Sequence, residues 1–235
     1  MTPTRSWATP IRTAKLRLNC PAAELPPDAE LPADAEMPAD ARERLAAYLD
    51  LLAKWNRVYN LTAIRDRARM ETHHVGDALA VLPFLPDVPN ARVLDVGSGG
   101  GVPGIPLAIA RPQWTFVLLD ANRKKAAFLA QAVIELKFAN VRAVASRVED
   151  FAPDEAFDIV ISRAFSDLRT FATLASRHVA PDGMLVAMKG ALPSNEIDAL
   201  PKGVVATATP ALDVPGLHAE RHLVLMRVAQ EEGMS

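Results

Sequence analysis

One cysteine, Cys20, stands in 235 residues, so neither a disulfide framework nor a thiolate metal site can be built, and a reducing compartment fits. No apolar run approaches the ~18 residues that a membrane-spanning helix requires. An excess of charge is missing too: 26 Lys plus Arg face 28 Asp plus Glu, a net of −2. That balance excludes a wholly basic protein that coats nucleic acid, but not a neutral one with a local basic patch. What is abundant is apolar. Half of the residues (50%) are hydrophobic and 23% are charged, the composition of a folded chain with a full core. The length suits one α/β domain with attachments.

The charge is unevenly placed. Residues 1–19 carry Arg5, Arg12, Lys15 and Arg17 and no acid, whereas residues 20–40 carry Glu24, Asp28, Glu30, Asp34, Glu36 and Asp40 and no base. The acidic part contains three hexapeptides, Ala23–Asp28, Ala29–Asp34 and Ala35–Asp40, with one proline in register. A proline in every six residues blocks a helix, and three such repeats are too short for a solenoid. Residues 1–40 therefore read as an extended, disordered extension that takes no part in the chemistry. The remaining body is neutral, with a basic end: residues 41–75 hold seven Lys/Arg against four acids.

Residues 41–90 read as a helical cap. Asp40 and Glu43 have capping-box spacing, and Leu45, Tyr48, Leu49, Leu52, Trp55 and Tyr59 recur on one helical face. A second helix is predicted from Arg67 to Leu82, ending before Pro83. From residue 91 to 235 short apolar runs alternate with helical ones. Strands are predicted at Val93–Val96, Trp114–Asp120, Val141–Ala145, Phe157–Ser162 and Met184–Met188, with helices at Pro106–Ala110 and Arg123–Leu136. Val204–Ala208 and His222–Val228 follow without a clear helix between them, as a final hairpin with an antiparallel last strand. The pattern implies an α/β fold, a mostly parallel, Rossmann-like sheet covered by helices on both faces.

Asp95-Val96-Gly97-Ser98-Gly99-Gly100-Gly101-Val102-Pro103-Gly104 carries the most information. Glycines let a ligand approach the backbone and supply positive φ. No lysine closes the stretch, which excludes a phosphate-binding Walker loop. Gly99, Gly101 and Gly104 match the dinucleotide spacing, with Asp120 downstream, but the match begins two residues after the strand ends at Gly97. Counted from Gly97, the sixth position is Val102 and the pattern fails. Asp95, just before the first glycine, has no duty beside a pyrophosphate and suits a ligand with a cationic amino-acid end, such as S-adenosylmethionine. Asp120 closes the second strand, where a carboxylate can accept both ribose hydroxyls. Glu149, after the third strand, is placed to flank an adenine, with Val148 offering backbone groups and apolar contact. Open α/β sheets bind ligands at these strand ends.

Lys54-Trp55-Asn56, Tyr59-Asn60-Leu61-Thr62, the Asp95–Leu107 segment, Ile161-Ser162-Arg163-Ala164-Phe165 and Lys189-Gly190 occur in one order. Over about residues 41–228 the chain resembles the bacterial small-subunit rRNA guanine-N7 methyltransferases, also called the glucose-inhibited division protein B family. The resemblance implies a class I methyltransferase fold with a seven-stranded sheet, S-adenosylmethionine as donor, and a loop guanine of 16S rRNA near the decoding centre as substrate. It places the donor on Gly97, Val102, Val148, Glu149 and Arg163, to which the reading above adds Asp95, Gly99 and Asp120. Where the family reads Arg-His-Ile-Leu-Asp-Ser, this chain has His73-His74-Val75-Gly76-Asp77-Ala78, so His74 and Asp77 match and the arginine is absent.

Guanine N7 has an in-plane lone pair and no proton to lose, so no general base is expected and Arg163 is a positioning residue. His73 and His74 are poor metal ligands, since adjacent helical residues point about 100° apart, and no metal is expected. Arg65, Arg67, Arg69, His74, Arg123, Lys124, Lys125 and Lys189 are the candidate RNA contacts. A cytoplasmic monomer acting on 16S rRNA or the small subunit is the resulting expectation. A nicotinamide-dependent oxidoreductase and a non-catalytic rRNA-binding assembly factor are the alternatives.

Overall fold

The computed structural model describes residues 37–229 apart from 164 and 166, so nearly all of the hexapeptide extension lies outside the described residues. Helix α1 (Ala41–Tyr59) buries Leu45, Tyr48, Leu49 and Leu52, as its periodicity predicts. Its start differs from the predicted capping box: the Asp40 side chain makes no cap hydrogen bond, with φ −91° and ψ 0°. A backbone turn opens the helix instead, Ala41 N donating to Pro38 O at 3.0 Å. Asn60 ends it in the left-handed region at φ 48°.

The second predicted helix is present but uneven. Helix α2 (Arg67–Met70), capped by Asp66, passes through a π-helical segment (Glu71–Gly76) into α3 (Asp77–Leu79). Pro83 sits within a following 3₁₀ turn, Leu82–Phe84. The wide turn lets the consecutive residues His74, Val75, Gly76, Asp77 and Ala78 all be buried, which a regular amphipathic helix does not allow. Gly76 allows close packing there, since a Cβ would stand 3.2 Å from Val214 Cγ1.

The sheet has seven strands in the order β3-β2-β1-β4-β5-β7-β6. They are β1 (Arg92–Val96), β2 (Thr115–Asp120), β3 (Val141–Ala145), β4 (Phe157–Arg163), β5 (Val179–Lys189), β6 (Val204–Ala208) and β7 (His222–Val228). Pairings among β1 to β5 are parallel. The last strand is antiparallel, as expected, but it inserts between β5 and β6. Strand β5 also runs farther back than predicted, through Pro181-Asp182-Gly183, a sequence that reads as a turn; its register with β4 shifts between Phe157 and Ile159.

Helices α4 (Gly104–Ala110), α5 (Arg123–Glu135), α6 (Leu168–Ala175) and α7 (Ser194–Asp198) complete the fold. Strand β1 is near-continuously apolar because both its faces are covered: Val93 and Leu94 are fully buried. One apolar cluster joins cap residues Tyr48, Leu49 and Leu52 to Val93, Ile105 and Ile159 of the sheet layer, so cap and sheet share a core. Among the described residues no helix is long and apolar enough to cross a membrane. Strand order reverses between β1 and β4, and the crevice at their carboxyl ends is where such sheets bind ligands.

Candidate active site

Strand β1 delivers the glycine loop into that crevice. Gly97 N and Ser98 N both donate to Leu119 O, at 2.8 and 3.0 Å, which folds the loop over the end of β2. Gly99 N donates to Asp120 Oδ2 and Asn122 N to Asp120 Oδ1, each at 2.8 Å. Asp120 therefore pins the loop and the next turn together, while its carboxylate keeps lone pairs for further donors. Tyr48 in the cap donates its hydroxyl to Gly100 O at 2.6 Å, fixing the loop from the other side.

Gly97 has φ +73°, and a Cβ placed on it meets nothing within 4 Å. Open space over a left-handed glycine is a cradle that a side chain would fill, and it fits a ligand lying against the backbone. Gly104 has a different duty, since a Cβ there would stand 2.3 Å from Leu118 Cδ2. It brings α4 against the sheet. Val102 is buried at 7% exposure, with its N donating to Ser98 O at 3.1 Å within the loop.

Asp95 corrects the sequence reading. It is fully buried, and its Oδ2 accepts from Gly104 N at 3.0 Å. Burial pushes its carboxyl up to about 7, and Oδ1 has no hydrogen-bond partner among the described residues. The side chain ties the two ends of the loop together and offers no surface to a ligand. Val148 packs with Leu94, Val96 and Leu119, which puts the turn after β3 beside the loop. The Val148 carbonyl is taken by His178 Nε2 at 2.9 Å. Glu149 lies at the same edge, a third exposed, with its Oε1 accepting from Arg147 Nε at 2.6 Å. A backbone hydrogen bond and Arg147 hold its carboxyl below the usual range.

Arg163 leaves β4 on the opposite side and reaches under the cap. Its Nη1 donates to His73 O at 2.8 Å and to Asp77 Oδ2 at 3.1 Å, and its Nη2 lies 3.1 Å from His74 Nδ1. Asp77, with a side chain only 3% exposed, also accepts from Arg221 Nε at 3.0 Å. Burial pushes the Asp77 carboxyl up, while Arg163 and Arg221 pull it down. Burial is the larger influence, so the carboxyl stands above its ordinary value. Sequence reasoning missed this role of Asp77, and Arg221 altogether; the one available signal was that Asp77 matches the family's run. His73, standing where the family has arginine, serves the cluster through its backbone carbonyl.

His74 is a second correction. It is 2% exposed and cannot face RNA. Its Nε2 lies 2.9 Å from Thr62 Oγ1. Burial first, then Arg163, lower its pKa to about 4, and its Nδ1 faces both Arg163 Nη2 and His73 O, each at 3.1 Å. Two more candidate RNA contacts are already engaged. Arg67 is held by Asp50, Glu71 and Ala46 O, and Lys189 donates to Glu196 at 2.8 Å with its side chain 14% exposed. Arg65 and Arg69 are exposed on the cap, and Arg123 and Lys124 on the first turn of α5. Lys125 on the same turn brings Nζ to 4.0 Å from the Cβ position of Gly99, at the rim of the loop.

Opposite pH dependences follow for the two buried groups. The folded pKa of His74, about 4, lies below its ordinary 6.5, so its contribution is complete above 6.5 and is lost as pH falls to about 4. The folded pKa of Asp95, about 7, lies above its ordinary 3.8, so its contribution is present below 3.8 and is lost as pH rises through 7. Relative to the native chain, His74→Gln loses less stability on acidification from pH 6.5 to 4, and Asp95→Asn loses more. Urea unfolding at several pH values measures both, and parallel profiles for all three chains would refute the assignment.

The family model described as rRNA small subunit methyltransferase G (GidB) matches residues 41–224. The ribosomal RNA small subunit methyltransferase G of Laribacter hongkongensis is 54% identical over 180 residues, covering 77% of this chain and 86% of that protein. The protein of the same name from Chromobacterium violaceum is 52% identical, over 78% of this chain and 87% of that one. Among solved structures, a SAM-dependent methyltransferase from Aquifex aeolicus superposes with a TM-score of 0.51 at 18% identity, covering 70% of this chain and 94% of that chain. The glycopeptide N-methyltransferase MtfA, complexed with S-adenosylhomocysteine, superposes with a TM-score of 0.56 at 13% identity, over 67% of this chain and 87% of that one. At such identities these two speak for the fold alone. A family match over residues 41–224, with relatives more than half identical, is decisive: the chain belongs to the rRNA small subunit methyltransferase G family.

Proposed function

We infer that this chain methylates N7 of a guanine in a 16S rRNA loop near the decoding centre, with S-adenosylmethionine as donor. The observation that carries the reading is the glycine loop at the strand switch, bare over Gly97 and framed by Asp120 and the Val148–Glu149 turn. The donor supplies an electrophilic methyl on a sulfonium; the carbon–sulfur bond breaks as the N7 lone pair forms the new bond. N7 carries no proton, so no residue has to remove one. Gly97 admits the donor against the backbone, Asp120 offers carboxylate oxygens to the ribose hydroxyls, and Glu149 with Val148 flanks the adenine. Arg163, fixed by Asp77, sets the β4 side of the pocket. The chain's work is therefore positioning and electrostatics.

RNA contact is assigned to Arg65, Arg69, Arg123, Lys124 and Lys125. The last three crowd the positive end of the α5 dipole, where cations gain nothing from the helix and a phosphate gains from both. The exposed large apolar residues Val58, Tyr59, Ile134, Leu192 and Val205 are scattered over α1, α5, the loop before α7 and β6, which supports a monomer. Its place is the cytoplasm, where small subunits are made. Membership of a methyltransferase family removes the nicotinamide oxidoreductase, and the bare glycine loop argues against a non-catalytic assembly factor.

The test is transfer of labelled methyl to small subunits from a strain lacking the modification, followed by mapping of the base. Label on a guanine N7 of 16S rRNA is the expected result. Label on a pyrimidine, or no transfer at all, rejects the reading.

A further inference from the structure

The cap carries a cavity that the donor site does not use. Helix α1 ends at Asn60, the chain turns back through residues 61–66, and α2 starts at Arg67. Between them lies a space of about 370 Å³ lined by Ala53, Asn56, Arg57, Arg65, Arg67 and Met70. That is at the small end of ligand pockets, about 300–1,000 Å³, and too small for duplex. We propose that it is a second RNA subsite, taking one unstacked nucleotide of the substrate away from the methylated guanine. This deepens the rRNA methyltransferase reading and rests on it.

The lining divides by chemistry. Ala53, partly exposed above the buried Met70, supplies an apolar floor against which a base can lie. Arg67 is neutralised by Asp50 and Glu71, at 3.0 and 2.7 Å, and serves as wall. Arg57 and Arg65 are both exposed at the rim. Among the described residues Arg57 forms no ion pair, and Arg65 donates only to the neutral Asn60 Oδ1, at 3.0 Å. Two unneutralised guanidiniums over an apolar floor suit a nucleotide: the planar cation stacks on a base or takes phosphate oxygens through two parallel N–H groups. A lipid or peptide anion would not need the floor and the rim together.

Asn56 anchors the pocket to the donor site. Its Nδ2 donates to Ile64 O at 3.2 Å and its Oδ1 accepts from Thr62 N at 2.9 Å. Thr62 Oγ1 meets His74 Nε2 at 2.9 Å, and His74 Nδ1 meets Arg163 Nη2 at 3.1 Å. A nucleotide held here is thus at a fixed distance from the guanine being methylated, as the recognition of a particular loop requires.

The experiment uses the full chain with Arg57 and Arg65 both changed to Glu. Three readouts are taken: S-adenosylhomocysteine affinity, methyl transfer to unmodified small subunits, and anisotropy of a short labelled single-stranded RNA across a salt series. The expected result is native S-adenosylhomocysteine affinity, a KM for small subunits raised about tenfold with kcat unchanged, and a salt slope shallower by about 2. Native KM and native salt slope in a variant that binds S-adenosylhomocysteine normally would overturn the subsite. Should the native chain bind RNA through these arginines yet transfer no methyl, the subsite stands as an RNA pocket and the functional reading fails.

Discussion

Gly97→Ala lowers the affinity for S-adenosylhomocysteine by at least about tenfold, a loss of about 1.4 kcal/mol, and leaves the fold nearly intact. The two effects separate because the added Cβ meets no protein atom within 4 Å and takes up space that the proposed donor site needs. Its cost to folding is the φ of +73°, about 1–2 kcal/mol for a residue with a side chain. Gly104→Ala shows the reverse. Its Cβ would lie 2.3 Å from Leu118 Cδ2 and 2.7 Å from Asp95 Oδ2, so α4 must shift away from β2 at a cost of about 3 kcal/mol. Calorimetry with S-adenosylhomocysteine, run beside urea unfolding, reads both quantities. If the two variants lose affinity only in proportion to lost stability, the loop is a packing element and not a cradle.

Asp77→Leu is expected to destabilise the chain by about 3 kcal/mol, among the largest effects of any single side chain outside the apolar core. Removing this carboxylate leaves Arg163 and Arg221, with side chains 25% and 23% exposed, facing each other without an anion. The partial exposure keeps the loss at the lower end of what a broken buried pair costs. The cluster is also what joins the cap to the sheet edge: Asp77 belongs to α3, Arg163 to β4, and Arg221 directly precedes β7. A triple variant, Asp77→Leu with Arg163→Met and Arg221→Leu, regains much of the stability, because the triad is then replaced by apolar groups of similar size. It does not regain methyl transfer, since Arg163 is gone. Native stability in Asp77→Leu alone would show that the cap is held by its apolar contacts and that the ions are incidental.

The sequence was informative wherever the determining physics is local. Short apolar runs located every strand, most securely β1 and β4, because a strand covered on both faces must be apolar along its length. The run from Gly97 to Gly104 was legible as a tight loop because positive φ and close approach both demand glycine at the position itself.

What failed or went unseen involves the choice of partner for a polar group. Asp95 reads as a ligand contact in sequence, and the structure turns it inward onto Gly104 N, nine residues on. His74 reads as an RNA contact in sequence, and the π-helical turn buries it. Arg163 meets Asp77 across 86 residues and Arg221 meets it across 144, separations over which no spacing rule operates. By itself, then, the sequence determined where the strands lie, the helices α1, α4 and α5 and the glycine loop, since backbone dihedrals and one-sided burial are set by each residue and its near neighbours. Only the tertiary structure decided which charges are spent inside the protein and which remain for RNA, because that depends on which faces are brought together and how much water is left between them.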